Sequence, residues 1–333
     1  MNTKYFKNLC TMSQEKLKTT VTAKLKKKYE DVTVADGFVF AKGEVPILLV
    51  AHMDTVHKEL PKSFEYKDGK LSSPQGIGGD DRCGVYAILE ITNKHKCSVL
   101  FCEDEEVGGI GAREFIKHDV ANDLTFNYII ELDRMHKDDA VFYNCDNDDF
   151  EDFITKDGTF KTSWGSFSDI SIIAPALGVA AVNISCGYYN AHQKTEYVVL
   201  NELDYCIKNV CKLIERTTET DKFEYIEAKH YYNGRYYGGY YGGSYYGSYG
   251  YSDYGNSYYS RGSQYSMFDD DDYERKGHYY EVYFKDEKGF DDSYGCTADS
   301  KYEALGKFMK KNPTRCFKDV SDIVDFGEDA YNI

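Results

Sequence analysis

The chain has 333 residues, 29% of them charged, and a formal net charge of −16. That length admits roughly one to three domains of about 100–200 residues, and the negative balance argues against nucleic acid or an anionic membrane as the main partner. Its longest apolar runs, such as residues 47–51, fall far short of the ~20 residues that a membrane helix needs.

In chain order, the opening MNTKYFKNLC lacks the apolar core of a secretory leader. Residues 13–29 carry lysines on one face and Leu17, Val21 and Leu25 at four-residue steps, which predicts an amphipathic helix. Residues 37–42 and 47–51 read as strands separated by the turn Gly43-Glu44-Val45-Pro46. A helix over 82–94 follows, with Val85, Ile88, Leu89 and Thr92 inward, then a strand over 98–102, a helix over 111–118 and a strand over 128–132. A strand over 180–184 and a helix over 201–216, with Leu203, Ile207, Val210 and Ile214 aligned, complete this zone. Short apolar strands alternating with helices predict an α/β domain over residues 1–228: a mostly parallel sheet covered on both faces.

Residues 229–276 are low in complexity: thirteen of the thirty residues from Tyr231 to Ser260 are tyrosine, and Gly and Ser fill most of the rest. Such a segment cannot build an ordinary core and reads as a flexible, sticky linker. Its acid run, residues 269–272, reads as a solvated stretch. Residues 277–333 resemble a small α/β module, with strands over 279–284 and 321–326 and a helix over 301–311 opened by the capping box Ser300-x-x-Glu303. Ten cysteines stand singly with no Cys-x-x-Cys pair, as expected of reduced thiols in a cytoplasmic protein.

The chemistry-bearing residues come in five ordered stations: His52-Met53-Asp54 after the run Leu48–Ala51, Gly79-Asp80-Asp81-Arg82, Asp104-Glu105-Glu106, Glu131-Leu132-Asp133 and Asn190-Ala191-His192. Each alone has a bland reading: a hydrogen-bonded histidine at a strand end, a glycine-flanked turn, a solvated acidic loop. Together they supply two histidines and three carboxylates, an inventory that fits two divalent ions sharing one bridging carboxylate. His52, Glu105 and Asp133 fall just beyond predicted strands, where open α/β sheets bind ligands.

HMDTV, GIGGDDRCG, DEEVGGIGA, ELD and NAH-x-x-x-E resemble the ordered motifs of the zinc-dependent exopeptidase superfamily, with peptidase T-like and related aminopeptidase branches nearest in wording. The resemblance covers about residues 30–215. It implies that His52, Asp80, Glu106, Asp133 and His192 bind two zinc ions (cobalt or manganese as alternatives), with Asp80 between them. It also implies that Asp54 orients the His52 ring, that Glu105 is the general acid/base and that a metal-bridging hydroxide is the nucleophile. Three ligand carboxylates and that hydroxide would balance the four positive charges of two zincs. Glu196 is given a supporting part, and Asp81 and Arg82 a bracing one. His57, His95, His118, His136, His230 and His278 match no motif and are expected at the surface. Residues 165–169, Gly-Ser-Phe-Ser-Asp, either shape the substrate pocket or cap the following helix. Only 58 residues separate Asp133 from His192, too few for the lid domain that many relatives insert there.

The expected function is that of an exopeptidase hydrolysing short peptides from the amino end, as an aminopeptidase or tripeptidase. The alternatives are an amidohydrolase acting on N-acyl amino acids with the same metals, and an inert scaffold whose Tyr/Gly arm mediates interactions, self-association among them. Single-stranded nucleic acid has stacking rings in that arm but few cations to meet it.

Overall fold

The two faces of the central sheet are written into its strands by alternation. In the strand Val45–His52, Ile47, Leu49 and Ala51 pack into one apolar cluster, and Leu48 and Val50 into another on the opposite face. In Cys97–Cys102, Val99 and Phe101 join the first cluster while Leu100 and Cys102 join the second. Side chains of period two, apolar at every position, mark strands buried on both sides.

A computed structural model describes residues 1–228 throughout. Beyond them it describes 231–232, 235–236, 278–285, 291–298, 304–305, 307–308, 311 and 320–325. Two compact units emerge, Met1–Ala228 and Lys229–Ile333. The strands of the first are β1 (Val32–Ala35), β2 (Phe38–Ala41), β3 (Val45–His52), β4 (Glu65–Lys67), β5 (Lys70–Ser72), β6 (Cys97–Cys102), β7 (Tyr128–Arg134), β8 (Asp139–Val141), β9 (Lys161–Thr162), β10 (Ala181–Ser185), β11 (Tyr188–Tyr189) and β12 (Tyr197–Val199). Its helices are α1 (Thr3–Cys10), α2 (Gln14–Leu25), α3 (Gly79–Ile91), α4 (Ile110–Lys117), α5 (Asp148–Thr155), α6 (Ile170–Leu177) and α7 (Leu200–Arg216).

Eight strands form the main sheet in the order β1-β2-β6-β3-β7-β10-β8-β9. The central neighbours β6, β3, β7 and β10 run parallel, and antiparallel pairs occur only between β1 and β2, β2 and β6, and β10 and β8. This is the mostly parallel α/β sheet expected. From β3 the chain passes through α3 to β6 on one side, then through α4 to β7 on the other. That reversal beside β3 opens a crevice at the carboxyl ends of the strands. A four-stranded antiparallel sheet, β11-β12-β5-β4, carries the loops that approach the same end.

Most expected helices and strands stand where the periodicity put them, with ends moved by a few residues. Helix α2 starts one residue after Ser13, whose side chain accepts a hydrogen bond from the Lys16 amide and caps it. Helix α1 was not expected; it buries Phe6, Leu9 and Cys10. Nor were β1, β4 and β5, which are short: β1 is mostly half-buried, β4 exposed, and β5 buries only Leu71. The segment between Asp133 and His192 holds β8, α5, β9, α6, β10 and β11.

In the second unit, β13 (Tyr231–Tyr232) pairs with β14 (Arg235–Tyr236), and β15 (His278–Lys285) lies between β16 (Asp291–Ala298) and β17 (Val320–Asp325), all antiparallel. Residues 304, 305, 307, 308 and 311 are helical, within the helix expected over 301–311. Ser300, Glu303, the acid run 269–272 and nearly all of the Tyr/Gly segment lie outside the described residues. No helix among the described residues is long and apolar enough to cross a membrane.

One close approach sets the depth of the crevice. A Cβ on Gly84 of α3 would stand 2.0 Å from the Leu132 carbonyl of β7, so only glycine lets this helix lie so near the strand that carries Asp133. Gly84→Ala is expected to lower stability by about 1–3 kcal/mol through overpacking and to weaken divalent-metal binding by moving Asp80 away from Asp133. Urea unfolding and metal titration of the purified variant measure the two effects.

Candidate metal centre

His52 ends β3 with its ring buried, and the ring is held from both sides. Nδ1 donates to Asp54 Oδ1 at 3.1 Å, while Nε2 faces Asp80 Oδ1 at 3.0 Å and Asp133 Oδ1 at 3.4 Å. Across the site His192 Nε2 lies 3.2 Å from Asp80 Oδ2 and 3.0 Å from Glu106 Oε2. The two carboxylate oxygens of Asp80 therefore turn to two different histidines. Two donor groups result, His52–Asp80–Asp133 and Asp80–Glu106–His192, each with its atoms within 4.8 Å of one another.

The donors fit divalent cations. With the Nδ1 proton of His52 committed to Asp54, Nε2 offers a lone pair toward two carboxylate oxygens, and acceptors that face one another need a positive charge between them. Glu106 Oε1 is buried with no hydrogen-bond partner. Imidazole with carboxylate is the donor mixture that suits zinc and its neighbours.

Without cations, crowded like charge is the dominant electrostatic fact. Burial first, and then the charges of Asp133, Asp169 and Glu106, push Glu105 up to about 9. Burial and Asp80 raise Glu106 to about 6. Burial with Asp133 and Asp169 drives Glu131 well above the ordinary carboxylate range, and Asp133 too is raised by burial and Asp80. Hydrogen bonds to the carboxylates of Asp80 and Glu106 push His192 up to about 11. Groups so placed take up protons or bind cations.

Asp54 does more than orient a ring. Its Oδ1 also accepts from the Glu105 amide at 3.1 Å, and its Oδ2 from the Glu106 amide at 3.0 Å. The turn after β6 is thereby fastened to the end of β3. Arg82, 1% exposed, braces the region from behind by donating to the carbonyls of Met53, Asp54 and Met12. Asp81 is fully buried and accepts from the amides of Gly84 and His52. Both lie where a bracing part was expected.

Two groups near the site, His57 and Glu131, were not foreseen in these roles, and a third, Glu196, was expected only in a supporting part. His57 is the correction: expected at the surface, its side chain is only 7% exposed, and its Nε2 lies 2.7 Å from Glu196 Oε2. Glu196 itself is fully buried and accepts from the Gly78 amide at 2.8 Å and the Asp80 amide at 2.9 Å. Glu131 is likewise fully buried and accepts from the Ser168 hydroxyl at 2.5 Å. Its signal was available, since a period of two puts Glu131 on the inward face with Ile129. Ser168 Oγ is also 3.2 Å from Asp133 Oδ2, and Asn183 clamps the Asp133 main chain through its amide and carbonyl. Within residues 165–169, then, Ser168 lies beside the site, and Asp169 begins α6 without a side-chain capping bond. His95 and His136 pair elsewhere, with Glu215 and Asp139, and His118 accepts from the Val120 amide. The side chains of His230 and His278 lie outside the described residues.

Removing the Glu196 carboxylate would strand two buried amides, each costing about 1–3 kcal/mol. Glu196→Ala is expected to destabilise the chain by about 3 kcal/mol, and His57→Ala by about 1 kcal/mol. Urea midpoints close to that of the native chain would show that the pair does not hold these loops.

No family model matches the chain. Over 84 residues it is 38% identical to a probable carboxypeptidase of Emericella nidulans, a match that takes in 22% of this chain and 20% of that protein. The chain thus spans about a fifth of the curated relative's length. Among solved structures, the aminopeptidase PepT of Bacillus cereus superposes with a TM-score of 0.52 at 15% identity, covering 64% of this chain and 97% of that one. A tripeptidase of Staphylococcus aureus gives 0.50 at 15% identity, with 64% and 96% covered. An aminopeptidase of the archaeon Desulfurococcus kamchatkensis gives 0.50 at 16% identity, with 65% and 94% covered. In fold, then, the chain resembles these two aminopeptidases and this tripeptidase.

Proposed function

We propose that this chain is a metallo-exopeptidase that hydrolyses short peptides from the amino end, using His52, Asp80, Asp133, Glu106 and His192 to hold two divalent ions, zinc above cobalt or manganese. The observation that carries the reading is Asp80, whose two oxygens meet different histidines, each pair completed by a further carboxylate. When bound, two such ions lower the pKa of a shared water and polarise the scissile carbonyl.

The chain's own residues do the remaining work. Glu105, next to Glu106 but in neither donor group, is free to take a proton from the attacking water and pass it to the departing amine. Asp54 keeps the His52 ring in the tautomer whose Nε2 is bare, and it aims the Glu105 turn through the two amides that it binds. Glu196 and His57 fix the loop on which Asp80 stands.

Charge supports the amino end. Asp54, Asp80, Asp81, Glu105, Glu106, Glu131, Asp133, Asp169 and Glu196 gather in the site and the layer beneath it, and the cation buried with them, Arg82, is already taken up by carbonyls. With two divalent ions balanced by their own ligands, a further ionised carboxylate such as Asp54 favours a peptide's ammonium over the free carboxylate of an N-acyl amino acid. The 84-residue similarity to a probable carboxypeptidase favours a second reading, cleavage from the carboxyl end. Amino-blocked dipeptides separate the two.

The purified chain is expected to release amino acids from unblocked di- and tripeptides, to lose that activity on chelation and to regain it with zinc. N-acetyl amino acids are expected to remain intact, and their hydrolysis would instead establish the deacylase. Glu105→Gln is expected to keep two metals per chain while kcat falls by about a hundredfold or more; full turnover by that variant would remove Glu105 from the mechanism.

A further inference from the structure

Apolar side chains exposed to water are concentrated around this site. Among the described residues, eight large apolar side chains stand exposed, and four of them lie on segments that bear site residues. Val56 follows Asp54 by two positions and is 41% exposed, Val107 directly follows Glu106 at 68%, Ile110 opens α4 at 43%, and Phe167 precedes Ser168 at 40%. Single exposed apolar residues need no explanation, but a group of them at one site marks a binding surface.

Three of the four sit against the same turn. The amides of Gly108 and Gly109 both donate to the Glu105 carbonyl, so residues 105–109 fold tightly behind the acid. A Cβ on Gly109 would stand 2.7 Å from Ile172 Cδ1 and 3.0 Å from Phe167 Cζ, so these two side chains lie directly on that turn. Val107 belongs to the turn and Ile110 follows it. The missing Cβ of Gly109 leaves room for the phenyl ring, and its φ of +66° is one that glycine adopts without strain.

We infer that Val107, Ile110 and Phe167, backed by Ile172, form the surface that receives the side chain of the residue just after the cleaved bond, and that preferred substrates carry a large apolar residue there. The inference rests on the peptidase reading above. The nitrogen that Glu105 protonates belongs to the departing residue, which must therefore come within hydrogen-bond reach of the Glu105 carboxyl. Its side chain then has the Glu105 turn as its nearest wall, and that wall is apolar. An apolar contact of this kind discriminates by about tenfold or more.

The test uses the full chain loaded with zinc and the dipeptides Ala-Gly, Ala-Leu and Ala-Phe. The kcat/KM for Ala-Phe is expected to exceed that for Ala-Gly by about tenfold, and Val107→Ser and Phe167→Ser are each expected to draw the ratio toward one. Equal loss for both dipeptides, or an unchanged ratio, overturns the inference. So does a fall in the sedimentation coefficient of the variants with the ratio intact, because a second copy of the chain would then be the occupant. Calorimetric binding to Glu105→Gln separates this inference from the one beneath it. Ala-Phe bound about tenfold tighter than Ala-Gly, with no turnover by the native chain, keeps the surface and removes the peptidase. Equal binding with good turnover keeps the peptidase and removes the surface.

Discussion

A carboxylate has two oxygens, and the site is organised around one whose oxygens serve different neighbours. Asp80 stands between His52 and His192, so its position must be fixed against both the sheet and the loop after β11. Its own amide is bound by Glu196, and Gly84, one turn further on, lets α3 lie against the Leu132 carbonyl. A small displacement of Asp80 would lengthen one histidine contact as it shortened the other. That geometric demand explains why so many buried hydrogen bonds converge on residues 78–84.

The sheet meets the demand by topology. Strands β6, β3, β7 and β10 lie side by side, and their carboxyl ends deliver the Glu105 turn, His52 with Asp54, Asp133 and, through Asn183, the clamp on Asp133. Residues far apart in the chain become neighbours because the crossovers reverse direction beside β3. The shorter sheet β11-β12-β5-β4 adds the remaining histidine from above.

Legibility in the sequence followed the range of the interaction. His52, Asp80, Glu106, Asp133 and His192 stood out because each sits in a short motif, and the structure brings all five within two overlapping groups. The sheet was readable from alternation and length. His57 was not, because its partner lies 139 residues away and nothing local distinguishes a loop histidine that is bound from one that is free. Ser168 offered two readings for the same reason: Glu131 is 37 residues distant. Strands β1, β4 and β5 escaped because elements of three or four residues carry too little pattern, and packing decides them. Glu131 was legible but passed over, an acid on the inward face of a buried strand.

Asp54 links two structural elements through one functional group. Through Oδ1 its carboxylate holds the imidazole at the end of β3, and through both oxygens it holds the backbone that presents Glu105. The two cannot fluctuate independently: a tilt of the ring would carry the Glu105 backbone along with it. In the proposed enzyme, filling of the centre and aim of the acid would thus be mechanically geared.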